Sequence, residues 1–134
     1  QGRLGMNPRY RTPLKQVRGL GSAKEGTQHF FVQRMTALAL IVLACWFLYF
    51  VVSLMQADYL TASDAVAKPW NATLLIAFLV AMFRHAQLGV QVVIEDYVHS
   101  HGLALVAQIA VRFLCILGAL ASVFAVVIIA LGGV

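Results

Sequence analysis

An apolar stretch of the sequence contains one histidine, His85, and ends in an acidic residue and a tyrosine, Asp96 and Tyr97. An imidazole can bind a metal or move a proton, a carboxylate can accept a proton, and a phenol can stabilise an oxygen that gains negative charge. An ionisable group inside a membrane helix is costly and therefore indicates a functional site. These three residues are the first candidates for chemistry in the chain.

The composition indicates an integral membrane protein built from helices. Of the 134 residues, 61% are hydrophobic and 11% are charged, whereas about half of a soluble domain is apolar and about a quarter is charged. So few polar residues cannot cover the surface of a soluble globule. The predicted fold class is therefore an all-α membrane protein.

Three apolar segments are long enough to cross a hydrocarbon core of about 30 Å, which takes about 20 helical residues. We predict these transmembrane spans at about residues 30–57, 70–95 and 103–131. A short polar connection over residues 58–68 separates the first two. A basic arm over residues 1–25 precedes the three-helix membrane unit, which covers residues 26–134.

The distribution of charge predicts the orientation. Seven of the ten basic residues lie in the first 34 positions, and basic residues concentrate on the cytoplasmic side of a membrane. The N-terminus is therefore predicted to be cytoplasmic. With three spans, the C-terminus then lies on the periplasmic side, and the loop after Glu95 faces the cytoplasm.

His85 is predicted to lie near the centre of the bilayer, because it precedes Glu95 by ten positions, about 15 Å along a helix. At about 100° per residue, Asp96 lies about 20° from His85 around the helix and Tyr97 about 120°. Gly89 follows His85 by four positions on the same face. A glycine there leaves room for a flat ligand against the backbone.

Two interpretations of His85 remain open from the residues alone. It can form a hydrogen bond across helices, or it can be an axial ligand of haem iron. A six-coordinate haem needs two ligands, and the other histidines, His29, His99 and His101, all fall near the cytoplasmic edge. If His85 binds haem, the second ligand must therefore come from another chain.

A polar stripe formed by Arg84, Gln87, Gln91 and Glu95 follows the same helix on a different face, at spacings of three and four. Arg112 on the third span is predicted at a depth similar to that of Arg84. Each arginine at midplane costs about 2.5 to 3.5 kcal/mol on insertion scales. Glutamines and water can bridge them, or they can pair with groups of a partner chain or with haem propionates.

Three further candidates lie at the predicted cytoplasmic edge. His29 and Arg34, five positions apart, are either interfacial anchors or neighbours of a bound anion or quinone. Asp96, beside Tyr97, either solvates a helix end or belongs to the same site as the tyrosine.

Taken together, these residues resemble the smaller of the two hydrophobic membrane anchor subunits of succinate dehydrogenase, respiratory complex II, of the alphaproteobacterial type. The run from His85 through Gly89 to Asp96-Tyr97-Val98 carries the resemblance in the second span. Residues 26–30 and 34–37 are similar to the family's G-x-x-H-F…R-x-T-A pattern. The resemblance covers about residues 19–108, and the third span matches mainly in hydropathy.

The resemblance implies a non-catalytic anchor subunit of succinate:ubiquinone oxidoreductase in the bacterial cytoplasmic membrane. Its three helices would form half of a heterodimeric haem-binding bundle with a second anchor subunit of the cytochrome b type. The two anchors would share one haem b and dock an iron–sulfur subunit and a flavoprotein subunit. FAD and the iron–sulfur clusters would belong to those partner subunits, and ubiquinone would be the substrate.

The resemblance also implies roles for individual residues. His85 would supply one haem iron ligand. Tyr97 would donate a hydrogen bond to a quinone carbonyl, and Asp96 would tune or relay protons beside it. His29 and Arg34 would lie near the haem propionates and the quinone pocket.

Two alternatives accompany this interpretation. The first is an anchor of a related fumarate reductase or of another membrane dehydrogenase with a b haem. The second is a small transporter subunit in which His85, Arg84 and Arg112 line a proton or anion path. A haem-type optical spectrum of the purified complex separates the transporter from the anchors, and succinate–quinone activity separates the two anchors.

Overall fold

A computed structural model describes the backbone of residues 21–133 and the side chains of residues 26–133. Most of the predicted basic arm, residues 1–25, lies outside the described residues. The chain divides into two compact units, Gln1–Val32 and Gln33–Val134. The described part of the first unit is helical, and the candidate site below lies mainly in the second.

Helices form all of the regular structure in the described residues. In chain order they are α1 (Gly21–Ser53), α2 (Tyr59–Ala67), α3 (Pro69–Tyr97) and α4 (His101–Ala130). Three of them contain segments that are long and apolar enough to cross a membrane: Gly26–Ser53, Pro69–Tyr97 and His101–Ala130. The prediction of an all-α membrane protein with three spans is therefore confirmed.

The first span ends earlier than the predicted boundary at residue 57. α1 ends at Ser53, whose hydroxyl donates a 2.6 Å hydrogen bond to the carbonyl of Phe50. The next two amides, of Leu54 and Met55, bond to carbonyls three residues back. This tighter winding is typical of a helix terminus, and it turns the chain toward α2.

The connection between the first two spans is itself a helix, α2, which differs from the polar loop predicted there. Asp58 caps it by accepting a 3.0 Å hydrogen bond from the backbone N–H of Thr61. Lys68 then takes an extended conformation, with ψ at 128°, as a residue before proline prefers. Pro69 begins α3, where its missing N–H is not needed.

The small core of the second unit lies where α1, α3 and α4 meet near α2. Phe50, Ala72, Leu75 and Val126 form this cluster, and the rings of Phe47 and Phe78 stack beside it at 4.8 Å between centroids. Only 6% to 11% of the most apolar window of each span is buried within the chain. Most of the apolar surface is therefore available to lipid or to other membrane helices.

A close approach between α3 and α4 occurs at Gly118. A Cβ at this position would lie 2.7 Å from Cε1 of Phe83. Small residues let membrane helices pack at short distance, and Phe83 precedes His85 by two positions. This glycine therefore helps set the packing of α3 next to His85.

We expect Gly118→Val to destabilise the protein by about 1 to 3 kcal/mol, because the added carbons overpack the site against the Phe83 ring. Thermal unfolding of the detergent-solubilised protein measures the change. Gly102→Val is the matched control, since no described atom beyond the helix's own turn lies within 4 Å of a Cβ at Gly102. Equal melting temperatures for the two variants would contradict this account of the packing.

The cap of α2 should respond to pH. Hydrogen bonds from the side chain and then the backbone N–H of Thr61 hold the pKa of Asp58 below its ordinary value of 3.8. A carboxyl whose pKa is lowered in the folded protein stabilises the capped helix at pH values above its ordinary pKa. This stabilisation is lost as the pH falls through the lowered pKa.

We therefore expect the Thr61 amide to lose hydrogen-exchange protection below pH 3.8. The measured exchange rates are first corrected for the intrinsic dependence of exchange on pH. Asp58→Ala should remove that protection at neutral pH, whereas Asp64→Ala, on the same helix, should not. Protection that is independent of both pH and Asp58 would show that the cap does not hold α2.

Candidate functional site

His85 is half-buried on α3 and faces α1. Its Nδ1 lies 3.4 Å from the hydroxyl oxygen of Thr36. The Thr36 hydroxyl also donates a 3.0 Å hydrogen bond to the backbone carbonyl of Gln33, one turn earlier on α1. The imidazole is thus connected to the backbone of a second helix through a single hydroxyl.

This chain of contacts has a direction. The carbonyl of Gln33 can only accept, so it takes the single proton of the Thr36 hydroxyl. The hydroxyl oxygen is then the acceptor for Nδ1–H of His85. In a neutral imidazole with its proton on Nδ1, Nε2 keeps a free lone pair. His85 therefore makes a hydrogen bond across helices and still has a nitrogen able to bind a metal.

The surface one turn from His85 is open. α3 runs without interruption from Pro69 to Tyr97, so Gly89 lies about 40° from His85 around the helix. Beyond the glycine's own turn of helix, no described atom lies within 4 Å of the place where a Cβ would stand. A planar group bound at His85 could therefore rest against the α3 backbone at this glycine.

Tyr97 and Asp96 form the end of α3, where the N–H of Val98 closes the last turn on the carbonyl of Ile94. Both side chains are exposed, and Tyr97 is 78% accessible. Tyr97 lies twelve residues beyond His85, about 18 Å along the helix axis. The phenol is accessible to a ligand, and Tyr97 lines neither of the two cavities of this region described below.

A cleft of about 670 Å³ opens at the α3–α4 turn. Glu95, His99, His101 and Gln108 contribute its polar lining, and neither Asp96 nor Tyr97 is among the lining residues. The histidines of this turn therefore line a cleft that the two residues predicted to bind quinone do not line.

His29 and Arg34 are both exposed on α1. His29 belongs to the first compact unit and Arg34 to the second. Arg34 precedes Thr36 by two positions and so lies about 200° from it around the helix. Because Thr36 faces His85, Arg34 lies on nearly the opposite side of α1 from that contact, and the predicted roles of His29 and Arg34 remain predictions.

The two glutamines of the polar stripe on α3 face α4. Gln87 and Gln91 line a cavity of about 10 Å³ together with Gln108 and Arg112, a space close to that of one water molecule. Gln91 also donates a 3.1 Å hydrogen bond to Glu95. For Gln87 and Gln91, the prediction that the stripe lies on a different face from His85 is confirmed. The same arrangement supports the interpretation in which glutamines surround Arg112.

The three residues of the transporter alternative do not share one path within the described residues. His85 contacts α1, Arg112 lines the cavity between α3 and α4, and Arg84 is exposed and lines neither side of that cavity. The described residues therefore form no continuous polar route through all three.

Sequence reasoning did not assign a role to Thr36, Gln33 or Gln108. Thr36 was part of a family pattern only, and its spacing of three from Gln33 is too common to identify a site. Gln33 Oε1 is buried, and no described donor reaches it. A buried oxygen without a donor costs about 1 to 3 kcal/mol.

Comparison with protein families gives one match across most of the chain. The family model described as succinate dehydrogenase/fumarate reductase transmembrane subunit matches residues 8–131 of this chain. This range includes all four helices, and it includes each candidate residue discussed above.

Individual relatives agree with this match. A protein of Rickettsia bellii, strain RML369-C, is 34% identical over 117 residues, which cover 87% of this chain and 94% of that protein. A protein of Rickettsia conorii is 32% identical over 87% of this chain and 93% of its own length. One from Paracoccus denitrificans is 34% identical over 66% of this chain and 69% of its own. All three are named succinate dehydrogenase hydrophobic membrane anchor subunit.

Proposed function

This chain belongs to the family of succinate dehydrogenase/fumarate reductase transmembrane subunits, and we propose that it holds one side of a haem b and completes a site where ubiquinone is reduced. It is a membrane anchor of an oxidoreductase complex. Its own contribution is positioning and hydrogen bonding, while oxidation of succinate takes place in partner subunits that carry FAD and iron–sulfur clusters.

The observation that carries the haem proposal is the state of the His85 imidazole. Nδ1 is engaged by Thr36 on a neighbouring helix, which leaves Nε2 as the metal-binding atom. The open backbone at Gly89 provides a place for a planar macrocycle. When bound between two imidazoles, a haem b provides one-electron transfer, and the residues present here fit one side of such a group.

The opposite side of the haem requires a second chain. His99 and His101 lie at the α3–α4 turn, about 20 Å along the helix axis from His85. A second anchor subunit of the cytochrome b type would therefore supply the other ligand, and the two chains would together form the haem-binding bundle. The large exposed apolar surface of the spans is consistent with such a partner.

The end of α3 is the proposed edge of the quinone site. Reduction of a quinone to a quinol consumes two electrons and two protons. The hydroxyl of Tyr97 would donate a hydrogen bond to a quinone carbonyl oxygen and stabilise the negative charge that develops there. Asp96, exposed beside it, would accept protons from water and pass them toward the quinone.

The remaining roles follow from the proposed orientation. With the N-terminus in the cytoplasm and the C-terminus in the periplasm, Tyr97 lies at the cytoplasmic surface of a bacterial inner membrane. The iron–sulfur and flavoprotein subunits would dock at this surface and deliver electrons near Tyr97. His29 and Arg34, on α1, would then lie near the haem propionates or the quinone pocket.

We expect Gly89→Leu to lower the haem content of the purified complex several-fold, because the new side chain occupies the space proposed for the macrocycle. The reduced-minus-oxidised optical spectrum, normalised to flavin, measures haem per complex. Ala86→Leu is the matched control, since Ala86 is exposed one position from His85 and about 100° from it around α3. Full haem content in Gly89→Leu would argue against this placement.

We expect Tyr97→Phe to lower kcat/KM for ubiquinone by about 10²-fold, because a donor to the developing charge is removed. Succinate oxidation with a soluble electron acceptor should stay normal, which shows that the complex is assembled. Tyr59→Phe, at an exposed tyrosine on α2, should leave both activities unchanged. Normal quinone kinetics in Tyr97→Phe would remove the tyrosine from the site.

A further inference from the structure

We propose that Thr36 is a positioning residue that fixes the His85 imidazole and lowers the reduction potential of the haem iron. The inference rests on the proposed function, because it requires His85 to be an iron ligand. It concerns a residue of α1 that neither binds the iron nor touches the quinone.

The contacts that carry this inference join two helices. Thr36 Oγ1 lies 3.4 Å from His85 Nδ1, across 49 positions of sequence. The same oxygen is held 3.0 Å from the carbonyl of Gln33, so its acceptor direction toward α3 does not rotate freely. Both residues are half-buried. The hydroxyl can therefore hold the plane of the imidazole as well as its tautomer.

The effect on the iron follows from the direction of the hydrogen bond. When Nδ1–H donates to an acceptor, electron density on the ring rises and Nε2 becomes a stronger base. A more basic ligand stabilises ferric over ferrous iron and so lowers the potential. At 3.4 Å the bond is long for an N–H···O contact, so the expected effect is modest.

The chemistry of Thr36 can be separated from its shape. Thr36→Val keeps a branched side chain of similar volume and removes only the acceptor. Thr36→Ser keeps the hydroxyl and removes the methyl group. Thr73→Val is a matched control, because the Thr73 hydroxyl also bonds to a carbonyl of its own helix, that of Pro69 at 2.7 Å, but is far along α3 from His85.

The test is a redox titration of the b haem in the complete purified complex, with the low-spin electron paramagnetic resonance signal recorded in parallel. In Thr36→Val, the ratio of ferric to ferrous haem at a fixed ambient potential should fall about three- to tenfold, which is about 30 to 60 mV toward positive potential. Thr36→Ser and Thr73→Val should titrate as the wild type does.

Loss of haem from Thr36→Val, with normal content and potential in Thr36→Ser, would also support the role of the hydroxyl. Three results would overturn it. The first is an unchanged potential in Thr36→Val. The second is an equal shift in Thr36→Val and Thr36→Ser, and the third is loss of haem from both, because either would show that any change of the side chain at this position has the same effect, whether or not the hydroxyl is kept.

Failure of this inference is distinguishable from failure of the proposed function. If His85→Ala leaves the haem signal intact, His85 is not a ligand and the proposed function fails. If His85→Ala abolishes the signal while Thr36→Val has the wild-type potential, His85 remains the ligand and only the role of Thr36 is lost.

Discussion

A polar atom in the hydrocarbon core of a membrane must find a partner, and an imidazole presents two such atoms. In this chain the hydroxyl of Thr36 meets one nitrogen of His85, and the direction of the bond leaves the other as a lone pair. The backbone at Gly89 is open on the same side of the helix. In the function proposed here, that second nitrogen would bind the iron of a haem.

α3 separates its polar residues between two faces. His85 contacts α1, while Gln87 and Gln91 surround a water-sized space with Gln108 and Arg112 of α4. One face therefore gathers polar side chains of α3 and α4 around a shared cavity, and the other, in the function proposed here, would hold a ligand. The small core and the exposed apolar spans are consistent with the proposal that the chain is part of a larger helical bundle.

The sequence was sufficient to predict the three spans, the position of His85 along its helix and the separate polar face, because these follow from hydropathy and helical periodicity. It did not predict α2, since the cap at Asp58 made a helix of a segment that composition marks as a loop. Nor could spacing identify the contact of Thr36 with His85, which depends on how two distant helices pack. Tyr97 lines neither cavity described above, so the proposed quinone site would need walls from other subunits, whose contribution this sequence cannot predict.

The most direct measurement is a high-resolution electron microscopy structure of the complete purified complex. The account predicts iron bound to Nε2 of His85, with Nδ1 directed at Thr36, Gly89 against the macrocycle, and an imidazole of the partner anchor on the opposite side. A His85 ring enclosed by side chains alone, or a haem bound through another residue of this chain, would contradict it.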